Sequence, residues 1–261
     1  MTLTATYRFI FLAHAGPVTM ISQGTVPLEA QSRLAGLDLA KLQQSRAYDI
    51  SMRLPLLSWS TLLVTVSMAG LLRYTREPDP ALPNAVYAIG IAMRLSTIAF
   101  LILTAATVVL RRRPTVKARG VEPRISALLG TFLVYAVGLF PRRELSLPAE
   151  LVSTLLTLAG SALAIFVLTQ LGRSFSIMAE ARRLVTSGVY RFVRHPLYLA
   201  EEMAIIGFAI QFLGYWTALL LIVQISCQLR RIHNEEVVLT ESFHEYAGYR
   251  QKTARLIPGI Y

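Results

Sequence analysis

Arg194-His195-Pro196 sits inside a polar, basic stretch, 187–198, wedged between long apolar segments. Two such cationic side chains are costly beside a bilayer unless they bind something. The residue before a proline is pushed out of the α region, so the sequence predicts an extended link at His195. Pro196 suits the first position of a new helix, where its missing N–H costs nothing. The expectation is a helix N-terminus with free backbone donors beside Arg194, His195 and Tyr198. Such a terminus is suited to an anionic or zwitterionic small molecule. The alternative is a basic interfacial loop that touches lipid phosphates.

Carboxylates supply the other half of the chemistry. Ile232, Glu236, Leu239, Phe243, Tyr246 and Arg250 recur at spacings of three and four, one stripe of a helix. Glu236 lies within that stripe and Glu235 at its edge. A carboxylate on a buried helix face needs a cation, a donor or a ligand ammonium, and a structural salt bridge to a nearby arginine is the plainer reading. Glu201 and Glu202 lie one turn inside the apolar run that starts at Pro196. Intramembrane carboxylates usually face a bundle interior or a wet cavity, and the positive end of the helix dipole offsets part of their cost. Arg94 is similarly deep in an apolar run, with snorkelling toward a headgroup as its alternative. Gln170 and Gln224 are expected to bond across helices.

Several chemistries lose support. No Gly-rich dinucleotide or phosphate loop occurs, and no His/Glu pair has zinc-protease spacing. No Gly-x-Ser-x-Gly elbow is present. His14, His195, His233 and His244 are scattered, and the single cysteine, Cys227, lies in an apolar run, so neither a metal site nor a disulfide framework is expected.

The elements that must position these groups are membrane helices. The chain has 261 residues, 54% of them hydrophobic and 16% charged, with mean hydropathy +0.51. Its apolar residues gather into runs at 54–72, 85–110, 125–140, 149–171, 196–213 and 215–229, an integral-membrane pattern. The third is short for a span. Gly214 marks a tight turn in the last pair. The net charge of +11 would suit nucleic acid, but the arginines lie in short loops, where they read as topology signals and headgroup contacts. No nucleic-acid partner is expected. The loops 111–124 and 172–195 are rich in arginine and 141–148 is poor. Six spans with both termini in the cytoplasm satisfy every loop.

The fold class expected is therefore all-α: a polytopic membrane bundle of about six spans, the last two a hairpin, with a cytosolic C-terminal helix. Residues 1–50 stand apart, with a short apolar stretch at 7–13 and an amphipathic one at 28–47. They read as a peripheral arm, a disordered lead, or sequence upstream of a start at Met20 or Met52, without a convincing secretory signal. Residues 51–147 form the first transmembrane part and 148–261 the part that carries the chemistry.

Within 148–261, Leu184-Val-Thr-Ser-Gly-Val-Tyr190 is followed by Arg194-His-Pro-Leu-Tyr198, a hydrophobic hairpin, Arg231-Ile-His-Asn-Glu-Glu236, and Phe243-His-Glu-Tyr-Ala-Gly-Tyr249 leading to Arg255-Leu-Ile-Pro258. These motifs, in this order, resemble the isoprenylcysteine carboxyl methyltransferase family, whose wider group includes phospholipid N-methyltransferases. The resemblance implies a multi-pass membrane methyltransferase with S-adenosylmethionine bound on its cytosolic side and a lipid-like acceptor entering from the bilayer. It implies Thr186, Gly188, Tyr190, His195, Tyr198, Glu235 and Glu236 as cofactor-site residues. Arg255 would lie near the acceptor, with Arg194 and Glu202 as further candidates for the catalytic centre, and no metal is implied.

The residues agree with the chemistry of that cofactor. A helix N-terminus with Arg194 and His195 suits its carboxylate, Glu236 suits a cation, and Tyr190 and Tyr198 offer aromatic faces to adenine or sulfonium. Carboxyl O-methylation, with an arginine orienting the acceptor, leads over amine N-methylation, which would need a base. The chain departs from the family pattern at Ala200-Glu201-Glu202 and at His244, and the first departure leaves the acceptor open. The rival class is a non-catalytic scaffold or a small permease, to which Glu201, Glu202 and Arg94 are suited; no internal repeat of the transporter kind is apparent.

Overall fold

Long apolar runs close every backbone hydrogen bond within themselves, the requirement a bilayer places on any segment crossing it. The computed structural model describes residues 50, 53–80 and 82–259. The proposed arm, with its 7–13 and 28–47 stretches, lies outside them, apart from residue 50.

Helix α1 is Leu54–Arg76, α2 is Asn84–Leu110 and α4 is Leu147–Leu171. These three, the last continued by a 3₁₀ turn to Ser174, are long and apolar enough to cross a membrane. Helix α1 ends on Arg73 and Arg76, cations that complement the negative end of its dipole. The short third run has its own solution. Helix α3, Glu122–Phe132, continues as a 3₁₀ helix over Leu133–Leu139. The larger rise of a 3₁₀ turn brings the combined length to roughly 30 Å, although this segment is not among the three helices long and apolar enough to cross a membrane.

The last pair differs from its sequence reading. Helix α5 is Pro196–Ile210 and α6 is Tyr215–Ser242. The expected last span and the expected tail helix are thus one uninterrupted helix. The stripe through Arg250 is broken instead at Phe243, which is extended (φ −136°, ψ 113°), and a short α7, Tyr246–Lys252, follows. No glycine or proline marks this break. Phe243 leaves the helix to pack on a small cluster of Ala179, Ala181, Val238, Val116 and Ala118. Gly214 is extended (φ 179°), so the chain reverses at Gln211 and Phe212, whose N–H groups bond Phe208 and Ala209 carbonyls.

Helix α4 is the hub of the bundle, packed against α2 on one side and α5 on the other, while α1 packs on α2 and α3 on α6. Its small buried residues Ser153, Thr157, Gly160, Ala164 and Val167 recur at helical spacing. A Cβ on Gly160 would overlap the backbone of Ala200 and Ala204, and one on Gly207 would overlap Thr157. Small residues let two backbones approach closely where lipid offers no hydrophobic drive to associate. Ser153 adds a hydrogen bond across this interface, donating to the Gly207 carbonyl at 2.7 Å.

The all-α expectation needs one amendment. The two arginine-rich loops meet as an antiparallel clip, β1 (Val116–Lys117) and β2 (Glu180–Ala181), with Val116 opposite Ala181. Thr115 N and Ala118 N extend it, bonding the carbonyls of Ala181 and Ala179 at 2.8 and 2.9 Å. The C-terminal tail joins the same end, with Val193 and Ala254 forming a parallel bridge. At the opposite end, Arg143 fastens the arginine-poor loop to the hairpin turn through Gln211 and Leu213 carbonyls.

Candidate functional site

His195 precedes α5 outside the α region, as a residue before proline must be, but its ψ of 55° (φ −126°) falls short of the extended link expected; Pro196 occupies the first helical position. The backbone donors of Arg194 and His195 are not free, however. They bond the tail carbonyls of Ala254 at 2.8 Å and Arg255 at 3.1 Å. The tail thus lies as a strand beside the link and brings Arg255 to the mouth of α5.

Three side chains converge there on one carboxylate. Glu236, 5% exposed, takes His195 Nε2 (3.1 Å) and Arg194 Nε (3.2 Å) on Oε1. Its Oε2 takes Arg255 through Nη2 at 2.6 Å and Nε at 3.1 Å. Burial pushes this carboxyl up, but hydrogen bonds from His195 and Arg255 and the charges of His195 and Arg194 outweigh it, holding it at about 2. Glu236 is therefore an anion that orders three cationic or potentially cationic groups. Arg194 is further held by the Arg250 carbonyl, to which Nη1 donates at 3.0 Å.

Glu235, one residue earlier on α6, faces a different way. Its Oε2 accepts the Tyr198 hydroxyl at 2.6 Å. The Tyr198 ring stacks on His195 at 5.6 Å between centroids, and the Arg231 guanidinium lies 4.7 Å from its centre. Arg231, 2% exposed, also donates to Thr131 Oγ1 at 3.1 Å.

Two cavities flank this cluster and share Arg194. An open one of about 710 Å³ is bounded by Glu236, Arg250, Arg255, His233 and Thr240. A small chamber of about 70 Å³ is bounded by Tyr190, His195, Tyr198, Glu235, Tyr246 and Arg183. The Tyr246 hydroxyl is buried without a hydrogen-bond partner. Burial pushes the Tyr190 and Tyr246 hydroxyls up, reinforced by Glu235 and Glu236 respectively, and Tyr249 is pushed up to about 12. All three are neutral hydroxyls at pH 7. Tyr249 donates to the Tyr190 carbonyl, tying α7 to the wall of the chamber.

The expected site residues fall into three groups. Arg194, His195, Glu236 and Arg255 form the ionic cluster, and Tyr190, Tyr198 and Glu235 line the chamber. Thr186 and Gly188 are exposed and lie in the wall of neither cavity. Gly188 acts through the backbone: at φ +64° it lies against Gln170, whose Oε1 accepts the Val189 N–H at 3.1 Å. Glu202 lies away from both cavities, between α5 and α6, where its Oε1 accepts from Gln224 Nε2 at 2.9 Å. Gln224 bonds across helices, and Gln170 reaches the short 3₁₀ helix Gly188–Arg191. Arg94 sits 3.7 Å from the Tyr74 ring centre and donates to the Gly90 carbonyl. His233 is exposed on α6, where it borders the open cavity, and His244 is exposed in the turn between α6 and α7 rather than on a helix.

Sequence reasoning gave no role to Arg231, Tyr246 or Tyr249. Arg231 carried a signal, since it shares a helix face with Gln224 and Gln228 on a span that should be apolar. Among the described residues, no group of three or more His, Cys, Asp or Glu side chains could hold a metal ion.

Residues 152–241 match the model of the isoprenylcysteine carboxyl methyltransferase (ICMT) family. The match runs from the first turns of α4 through the α5 N-terminus to the end of α6. No curated protein matches the chain significantly.

Proposed function

We propose, from the similarity of residues 152–241 to membrane methyltransferases, that the chain transfers a methyl group from S-adenosylmethionine to a lipid-like acceptor. The observation that carries this reading is the meeting of the α5 N-terminus and the Glu235–Glu236 segment at one end of the bundle, with a cavity on either side. The open cavity is of the size that encloses a small-molecule ligand.

The residues fit that cofactor. Arg194 and Arg255 can share a ligand carboxylate, Glu235 faces a chamber where a cation would be matched, and Tyr190 and Tyr198 supply aromatic faces. The unpartnered Tyr246 hydroxyl is a further polar contact waiting for a ligand atom. When bound, the cofactor supplies an electrophilic methyl on a sulfonium. The protein's part is then to align and desolvate the acceptor atom. Glu235 and Glu236 divide two tasks: Glu236 fixes the cations, and Glu235 remains the carboxylate beside the aromatic faces.

Six spans with the basic end toward the cytoplasm is part of the same reading. It is supported by the clip that gathers both arginine-rich loops at the end holding the site. Two acceptors fit the chemistry. A carboxylate would be oriented by Arg255, as the family's name implies; an amine would need a base, and Glu202 stands inside the bundle with no cation paired to it among the described residues.

The reading is tested by thermal unfolding of detergent-purified protein with S-adenosylmethionine or its demethylated product. A ligand that binds only the folded chain raises the unfolding temperature. No rise at saturating ligand would overturn the reading in favour of a scaffold or permease.

A further inference from the structure

Helices α5 and α6 diverge after their turn, α5 resting on α4 and α6 on α3. Polar side chains fill the seam between them. Gln228 joins Glu201 to Arg231, donating through Nε2 to Glu201 Oε2 at 3.1 Å and accepting from Arg231 Nη1 at 3.4 Å. Glu201 is thus served by an arginine through one relay. Glu202 is not. No cation among the described residues pairs with it, and its only side-chain partner is the Gln224 amide. Gln224, 0% exposed, is anchored by the same nitrogen to the Gly130 carbonyl of α3 at 3.0 Å.

Two acceptors are left over in this pair. Glu202 Oε2 and Gln224 Oε1 are both buried and both without a hydrogen-bond donor. A buried acceptor without a donor costs about 1–3 kcal/mol, and more when charged. Two of them on adjoining side chains inside the bundle leave an unmet demand for a donor. An ammonium brings several N–H groups and the compensating charge. An alcohol brings one donor and no charge, and a carboxylate or phosphate would meet only repulsion.

The position is also suggestive. Glu202 follows Tyr198 by four residues on α5, so the two lie on one face about 5–6 Å apart at Cβ. Tyr198 lines the chamber of the proposed methyl-transfer site, its hydroxyl bonded to Glu235. Ile206, one turn further along α5, is exposed on the outside of the bundle.

We infer that Glu202 and Gln224 form a binding site for the protonated amine of an amphiphilic lipid, which makes an amine, rather than a carboxylic acid, the acceptor class. The inference rests on the methyltransferase reading for its meaning but not for its test. Glu202 has a second task there. An ammonium must lose a proton before its nitrogen is nucleophilic. The N–H bond breaks as an O–H bond forms on the Glu202 carboxylate, leaving a neutral amine and a carboxylic acid.

The test uses the full chain in phosphatidylcholine nanodiscs without methyl donor. Hexadecylamine, palmitate or hexadecyltrimethylammonium is added, and the unfolding temperature is followed. Hexadecylamine is expected to raise it in a saturable way; palmitate and the quaternary ammonium, which has charge but no N–H, are not. In Glu202→Gln, nearly isosteric, half-saturation by hexadecylamine should need about tenfold more ligand or be lost, and Gln224→Leu should weaken it too. An equal rise with palmitate or the quaternary ammonium, no rise with hexadecylamine, or an undiminished rise in Glu202→Gln would each overturn the inference. S-adenosylhomocysteine is run on the same samples. If it stabilises the chain while hexadecylamine does not, only the amine site is wrong. If it fails as well, the methyltransferase reading falls with it.

Discussion

His195 Nε2 lies 3.1 Å from Glu236 Oε1, a contact that closes forty-one residues of chain and fixes the α5 N-terminus to the far end of α6. Both side chains are almost fully buried, and Arg194 and Arg255 share the same carboxylate.

Replacing Glu236 with glutamine leaves three groups without their anion. Removing one partner of a buried ion pair costs on the order of 3 kcal/mol. The expected outcome is a lowered unfolding temperature and faster proteolysis within 243–259, because Arg255 no longer anchors the tail. Glu241→Gln, an exposed position on the same helix, should change neither.

The acid limb follows from the same carboxyl. Its folded value of about 2 lies below its ordinary 4.5. A depressed acid contributes stability that is present above the ordinary value and lost as pH falls toward the folded one. The clamp should therefore be intact at neutral pH and loosen between about pH 4.5 and 2. Tail proteolysis by an acid-active protease should rise across that window in the wild type and be flat in Glu236→Gln.

Tyr198→Phe keeps the ring on His195 and beneath Arg231 but removes the hydrogen bond to Glu235. A hydrogen bond to a charged acceptor contributes about 1.5–3 kcal/mol. If Glu235 is the carboxylate that meets a ligand cation, S-adenosylhomocysteine binding should weaken about tenfold, with little change in the fold. Isothermal titration measures it, and unaltered affinity would remove Glu235 and Tyr198 from the site.

Gly188→Ala should destabilise the chain although the residue is exposed and touches no cavity. Its φ of +64° disfavours any side chain, and the new Cβ would overlap Gln170 Oε1. The double change Gly188→Ala with Gln170→Ala should recover only the steric share. Thermal unfolding of the two variants separates backbone strain from the clash.

The three long apolar helices were readable from the sequence to within a few residues because apolar run length is a direct signal. The short run at 125–140 was readable as a run but not as an α-helix passing into a 3₁₀ helix, since nothing in 133–139 breaks helical periodicity. The tail was misread because periodicity persists through Phe243, although contacts with Val116 and Ala181, remote in sequence, end the helix there. At the site, Arg194, His195, Tyr198 and Glu236 stood out because charge beside an apolar run is conspicuous. The capture of backbone donors by Ala254 and Arg255 was not legible, because strand pairing between distant short segments leaves no local pattern.

Helix α3 lies outside residues 152–241, the stretch that matches the family model, yet it meets the polar face of α6 along its length. Glu122 takes Arg230 and Asn234, Thr131 takes Arg231, and the Gly130 carbonyl takes Gln224. A fragment cut to the matched boundaries would carry these side chains stripped of their counterparts into hydrocarbon. The smallest autonomous unit of this protein is accordingly wider than its recognisable signature, and any minimal version must begin no later than Glu122.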